Sequence, residues 1–431
     1  MSQSKYSSVQ SKGIYHGLPV FPENLKGLSA IVTGANGISG DHMMRVLDES
    51  PERWSNVYAL SRRPPMVDRK WQTNLKHVPL DFLNSSPEEI AKALKEHGVK
   101  ADYIFFFSYV QAAPKDGATL WSDAEEMTKV NVALLSNFLQ ALKLASITPK
   151  RFMLQTGAKN YGVHQGPTIN PQTESDPRVT HLDANFYYPQ EDLLEEYCKQ
   201  TGAEWNVARP SYILGAVKDA AMNVVYPIGV FAAVHAHLKE KLVFPGNIDA
   251  FHMVLDLSSA MMNSYLEEWA VLDPKAGNQA FNASDSSQFT FGKFWPVLAE
   301  WYGVGYTLPE ADTEYTTVEM PYKKPPRGFG PPGKVSFSYT LVQWAADPRV
   351  HAAWKEISKQ HGLESDPFSN PADRGRIFAF ADAAILASYP LQFNMDKSRK
   401  LGWHGMVDSI ESIRSVLEDF VGLKMLPPLP K

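Results

Sequence analysis

The chain has 431 residues, 44% hydrophobic and 21% charged, with a net charge of −5. It can therefore bury a sizeable core, and it advertises no basic surface for nucleic acid. A single cysteine, Cys198, excludes an internal disulfide framework. The N-terminus lacks an apolar signal core and no run of 18 apolar residues occurs, so the sequence predicts a cytoplasmic chain that does not span a membrane.

Residues 1–27 are polar, with prolines at Pro19 and Pro22, and read as an N-terminal arm. Ser29–Thr33 is the first buried-strand candidate. It runs into a glycine turn and a helix over Asp41–Glu49. Further strands are expected at Val57–Ser61, His77–Leu80, Tyr103–Phe107, Arg151–Gln155 and Trp205–Arg209. Helices over Val130–Leu142 and Gln190–Lys199 fall between the later ones. Strands alternating with helices predict an α/β fold, a doubly wound parallel sheet covered on both faces. After Gly215 the rhythm changes. Segments 222–240, 288–302 and Val407–Phe420 read as helices, and Gln279–Ala283 as a strand returning to the sheet. Residues 306–345, rich in proline and glycine, read as an excursion over a site. The expected organisation is an arm (1–27), a nucleotide-binding domain (28–215) and a smaller, mainly helical substrate-binding part (216–431). Within that last part, 245–283 returns to the sheet.

The turn after the first strand reads Thr33-Gly34-Ala35-Asn36-Gly37-Ile38-Ser39-Gly40. Gly34 permits the tight turn, Gly37 lets backbone approach a pyrophosphate, and Gly40 allows close packing of helix on sheet. The helix N-terminus that follows favours the pyrophosphate charge. This placement makes the sheet a Rossmann-type dinucleotide-binding one. The second strand ends in Ser61-Arg62-Arg63, where an NAD site usually carries an acid for the ribose hydroxyls. Two guanidinium groups clamp a 2′-phosphate instead, so the expected cofactor is NADP(H). Asp81, after the third strand, is placed to meet the adenine amino group, with Phe82 beside it. Thr33, Asn36, Ile38, Ser108, Gln155, Tyr187, Ile213 and Met222 complete the expected cofactor contacts.

These features resemble the extended short-chain dehydrogenase/reductase superfamily. Most of its members set a lysine four residues after a tyrosine on one helix. None of the 18 tyrosines here has a lysine at that spacing. Two other segments bear on this: Leu154-Gln155-Thr156-Gly157-Ala158-Lys159-Asn160-Tyr161, and Asn185-Phe186-Tyr187-Tyr188-Pro189-Gln190-Glu191-Asp192. In order and spacing they resemble the QTG-x-K-H-Y and NFYY-x-x-ED motifs of the progesterone 5β-reductase and iridoid synthase family. Arg62-Arg63, Arg209-Pro210, Ile213-Leu214-Gly215, Phe281-Asn282-Ala283-Ser284, the segment from Phe294 and Lys397-Ser398 also fit. The chain departs from the family at Asn160, where histidine is usual, in its glycine turn, and at Ser108-Tyr109.

The resemblance implies that Lys159 and Tyr187 form the catalytic pair and face the nicotinamide. It also implies reduction of a C=C bond conjugated to a carbonyl in a small apolar substrate, in specialised metabolism. A carbonyl reductase or alcohol dehydrogenase, a non-redox isomerase or cyclase, and a cofactor-sensing regulator stay open, as does a homodimer. The absence of HExxH, CxxC and GxSxG disfavours a metallohydrolase and an α/β-hydrolase. His235 and His237 point apart on a helix and do not form a metal pair. Asn131 reads as holding a water or backbone near the site, or as an ordinary polar side chain on the helix surface. Tyr161, Phe186, Tyr188 and Tyr226 are candidates for a pocket wall or for core.

Overall fold

The computed structural model describes residues 8–65, 69–112, 123–219 and 222–430. Seven parallel strands form the central sheet: β1 (Leu28–Thr33), β2 (Trp54–Ser61), β3 (Asn74–Pro79), β4 (Tyr103–Phe106), β5 (Arg151–Gln155), β6 (Glu204–Pro210) and β7 (Gln279–Ala283). Their spatial order is β7-β6-β5-β4-β1-β2-β3. The chain thus leaves β1 in one direction for β2 and β3, and returns to its other side for β4 to β7. That reversal, between β1 and β4, opens a crevice at the carboxyl ends of the strands.

The strands read as near-continuous apolar runs because both faces are covered. Ala30, Ile31 and Val32 of β1 are fully buried, as are Ile104 and Phe105 of β4. Four helices follow the early strands: α1 (Ile38–Asp48), α2 (Pro87–Glu96), α3 (Ala124–Ala145) and α4 (Tyr187–Thr201). Helix α1 starts inside the glycine turn, three residues earlier than its apolar periodicity suggests, with Gly37 as its N-cap. Helix α2 was not singled out by periodicity, yet it carries a full capping box between Ser86 and Glu89.

The second half differs in detail from its sequence reading. β7 does return to the sheet, pairing in parallel with β6. The excursion at 306–345 contains an antiparallel hairpin, Thr316–Glu319 with Lys334–Phe337. Two helices over Pro348–His361 and Asp373–Ile385 follow it. Residues 1–7 of the expected arm lie outside the described residues, but 9–19 are not an extended arm. Val9–Lys12 and Tyr15–Pro19 form a hairpin that bridges to Met406 through His16. Its polar sequence hides this, because Leu18 is its one fully buried apolar side chain. Among the described residues no helix is long and apolar enough to cross a membrane.

Candidate active site

The loops leaving the strands meet along one edge of the sheet and line a cavity of about 800 Å³. The glycine turn contributes Gly34, Asn36, Gly37, Ile38 and Gly40. Gly34 has φ +63°, a left-handed conformation, and a Cβ there would stand 2.8 Å from the Phe107 carbonyl oxygen. A Cβ on Gly40 would collide with the Gly34 carbonyl oxygen and meet Ala35 Cα at 2.8 Å. The turn is therefore as tight as its three glycines suggest, and the α1 N-terminus opens onto the cavity.

Ser61, Arg62 and Arg63 follow β2 into the same cavity. Asn36 Nδ2 and Ser61 Oγ both donate to the Arg63 carbonyl oxygen, at 2.6 and 2.7 Å, which fixes the backbone of the arginine pair. Both arginines are exposed, and neither guanidinium takes part in an ion pair among the described residues. Asp81 and Phe82 line the cavity as well, but Asp81 is engaged in its own turn. It accepts from the backbone N–H groups of Leu83 and Asn84 at 3.0 and 3.1 Å, and from Asn84 Nδ2 at 2.9 Å. Ser108, Gln155, Ile213 and Met222 are also in the lining.

Thr33 is the exception. It is fully buried beneath the turn, and its Oγ1 accepts from the N–H groups of Phe107 and Ser108 at 3.1 and 3.2 Å. Its contribution is to tie the end of β1 to the exit from β4, and it is absent from the cavity wall. Asn131 has a similar role. Buried on α3, it accepts from Val110 N–H and donates to Val110 O, at 3.0 and 2.9 Å, holding the chain after β4.

Lys159 and Tyr187 enter the cavity from neighbouring loops. Lys159 lies in a short 3₁₀ turn, Ala158–Tyr161, immediately after β5. Tyr187 opens α4, and its hydroxyl oxygen would stand 3.2 Å from a Cβ on Gly157. The phenol thus hangs over the end of β5, two residues before Lys159. The Phe186 ring meets Tyr187 edge to face, with centroids 4.6 Å apart, and Tyr109 packs on Phe186 at 5.9 Å. Burial lowers the Lys159 ammonium from an ordinary 10.5 to about 7. Burial raises the Tyr187 phenol above its usual range, with a smaller push from Glu191.

Glu191 stands four residues after Tyr187, where a lysine would be usual. Its carboxylate is buried and held by Arg209, at 3.0 and 3.2 Å, and by Arg178 at 3.3 Å. That position is thus part of a buried ion-pair network, and the lysine that reaches the cavity beside Tyr187 is Lys159. Glu191, Arg209 and Asn185 were not read as site residues from the sequence. Tyr188 and Tyr161, weighed as pocket wall or core, are core. The Tyr188 hydroxyl donates to Asn160 O at 2.7 Å and accepts from Val179 N–H at 2.8 Å. Tyr161 hydrogen-bonds Asn282 at 2.5 Å, and Tyr226 hydrogen-bonds Ser365 at 2.7 Å. Of the four aromatics only Phe186 lines the cavity.

The residues present fit a dinucleotide. The glycine turn leaves room that a side chain would fill. Two acceptors beside the cavity, Asn36 Oδ1 and Gln155 Oε1, are buried without a hydrogen-bond partner. Such groups suit the amide, amino and hydroxyl donors of a bound nucleotide. Residues 30–321 match the PRISE-like Rossmann-fold domain.

The chain belongs to the PRISE-like family. Named relatives align with nearly all of it. A 3-oxo-Delta(4,5)-steroid 5-beta-reductase of Arabidopsis thaliana is 27% identical, over 92% of this chain and 93% of its own. An (S)-8-oxocitronellyl enol synthase of Catharanthus roseus is 26% identical, over 92% of each chain. A short chain dehydrogenase of Penicillium aethiopicum is 28% identical, over 93% of this chain and 99% of its own. Among solved structures, the UDP-glucose 4-epimerase of Thermotoga maritima superposes with a TM-score of 0.55 at 14% identity, over 92% of this chain and 99% of that one. That likeness concerns the fold alone. With its glycine turn and arginine pair, this PRISE-like chain is an oxidoreductase of the short-chain dehydrogenase/reductase type, and its cofactor is NADP(H).

The low Lys159 value has a consequence for stability. Between about 7 and 10.5 the unfolded chain holds the lysine proton and the folded chain releases it, so folding becomes more favourable as pH rises through that window. The destabilisation due to Lys159, measured against Lys159→Met by urea unfolding of the cofactor-free protein, should be greatest below pH 7 and fade toward pH 10. A difference that does not vary with pH would place the ammonium in water.

Proposed function

We propose that this chain reduces an activated C=C bond in a small, apolar enone or enal with NADPH. The observation that carries the reading is the delivery of Lys159 and Tyr187 to the wall of the cavity that also holds the glycine turn. Apolar side chains from distant segments line much of the rest of that cavity, among them Val163, Met320, Val335, Phe380, Leu386 and Leu391, beside polar groups such as His164 and Asp382. A flat or aliphatic carbonyl compound suits such a wall. The relative named for a 3-oxo-Delta(4,5)-steroid, itself an enone, supports the same chemistry.

NADPH, when bound, supplies a hydride to the carbon β to the carbonyl. Negative charge then grows on the carbonyl oxygen. The Tyr187 hydroxyl donates a hydrogen bond to that oxygen, as an oxyanion-hole donor does. Burial raises its pKa, so the phenol stays protonated and able to donate at neutral pH. In its protonated form Lys159 adds a positive field from the neighbouring turn. The α-carbon takes its proton from solvent or from Tyr187.

The test is to incubate the protein with NADPH and a panel of small enones and enals, following absorbance and product mass. The expected result is NADPH consumption matched by a saturated carbonyl product. An allylic alcohol would identify a carbonyl reductase, and product without NADPH loss would identify an isomerase or cyclase.

The arginine pair makes the cofactor choice testable too. A charge-assisted hydrogen bond contributes roughly 1.5–3 kcal/mol. Arg62→Ala or Arg63→Ala should therefore weaken NADPH binding about 10- to 150-fold in a fluorescence titration. NADH affinity should hardly change. Equal affinity of the unmodified protein for the two nucleotides would contradict the assignment.

A further inference from the structure

Lys159 and Tyr187 belong to different elements, one following β5 and the other opening α4. Something must hold them in register. Asn185 bonds to both stretches with one side chain. Its Nδ2 donates to the Lys159 carbonyl oxygen at 2.8 Å. Its Oδ1 accepts from the Tyr187 backbone N–H at 3.1 Å.

The pairing suits the chemistry of an amide. Asparagine offers a donor and an acceptor on adjacent atoms at the end of a short side chain. Aspartate lacks the donor. Serine has one oxygen on a shorter arm. The Tyr187 N–H is one of the orphan donors at the start of a helix, and the N-cap residue of α4, Phe186, supplies no side-chain acceptor. Asn185 satisfies that donor from outside the helix while reaching across to the turn that carries the lysine. A second clasp lies beside it, the Tyr188 hydroxyl between Asn160 O and Val179 N–H. That clasp joins turn and helix through groups other than the two Asn185 bonds, although the Tyr188 hydroxyl also meets the Asn185 side chain.

We propose that Asn185 is a positioning residue, whose single amide fixes the spacing of Lys159 and Tyr187 and thereby the efficiency of the reaction. The inference rests on the reading of those two as the reactive pair. Asn185 meets Lys159 and Tyr187 through their backbone, and its side chain also meets the Tyr188 hydroxyl, so its effect reaches the substrate through the pair.

Asn185→Ala removes both bonds, and Asn185→Asp keeps the acceptor but loses the donor. Both variants should lower kcat on an enone that the unmodified protein reduces, by on the order of 10- to 100-fold, since small misplacement of catalytic groups is costly. NADPH affinity should stay as it was. The deciding measurement is a double-mutant cycle with Tyr187→Phe. If Asn185 acts through the pair, Asn185→Ala should cost less than about threefold in the Tyr187→Phe background. An equal cost in both backgrounds would make Asn185 an ordinary turn residue and overturn the inference, as would a silent Asn185→Ala. If Asn185→Ala fails to fold, Asn185→Asp carries the cycle. Should Tyr187→Phe and Lys159→Ala both be silent, the reactive-pair reading falls first and takes the inference with it.

Discussion

Tyr187→Phe should lower enone turnover by on the order of 100- to 1000-fold, the cost of losing one oxyanion donor. The substitution removes only the hydroxyl. The ring contact with Phe186, centroids 4.6 Å apart, persists and keeps the cavity wall intact. NADPH affinity should therefore remain close to that of the unmodified protein. Lys159→Ala should also slow turnover while leaving the nucleotide bound. A strongly polarised enone should suffer less from either change, because its hydride acceptor needs less help. Tyr188→Phe is the neighbouring control with a different expected outcome. Its hydroxyl serves Asn160 O and Val179 N–H away from the cavity. Removing it leaves buried partners unmet, at a cost of about 1–3 kcal/mol in stability. It should lower the melting temperature more than the rate. A crippling Tyr188→Phe beside a silent Tyr187→Phe would exchange their roles.

Gly37→Val should abolish NADPH binding in a chain that still folds. Gly37 has φ −82°, a conformation any residue adopts, and a Cβ there meets only the Gly34 carbonyl oxygen, at 3.3 Å. The strain is small, but the branched side chain extends into the space over the α1 N-terminus where a pyrophosphate is received. Gly40→Val should behave differently, because its Cβ runs into the turn backbone itself. That variant should lose binding and stability together. Circular dichroism with NADPH titration separates the two. Retained nucleotide affinity in a folded Gly37→Val would move the pyrophosphate site elsewhere.

How far the sequence foretells this site depends on how each residue is positioned. Residues at strand ends are easy to place, because a parallel sheet delivers them to one edge whatever else the chain does. Gly34, Arg62, Ser108, Lys159 and Ile213 all reach the cavity in this way. Side-chain direction is harder. Thr33 sits in the same motif as Gly34, yet it points beneath the turn to meet the chain leaving β4. Tyr187 and Tyr188 are adjacent and chemically alike, and only helix phase separates cavity from core. Asn185 was illegible as a site residue because its partners are backbone groups, one of them far away in the chain. Met320 and Val335 fall in the 306–345 excursion that the sequence reading set over a site, but the part of the wall from residues 379–391 was illegible for a related reason. It arises from packing of segments distant in sequence, and no local pattern announces it. The hairpin at 9–19 was missed because a short polar hairpin buries too little apolar surface to show a period-two pattern.

The proposed reaction delivers hydride to the carbon β to a carbonyl. Its most direct measurement uses NADPH deuterated at the transferring position of the nicotinamide, with an enone that the protein consumes. Mass spectrometry and NMR of the product then locate the label. The expected product carries one deuterium on the β-carbon, a saturated bond and an intact carbonyl. Deuterium on the carbonyl carbon, with the C=C bond preserved, would contradict it.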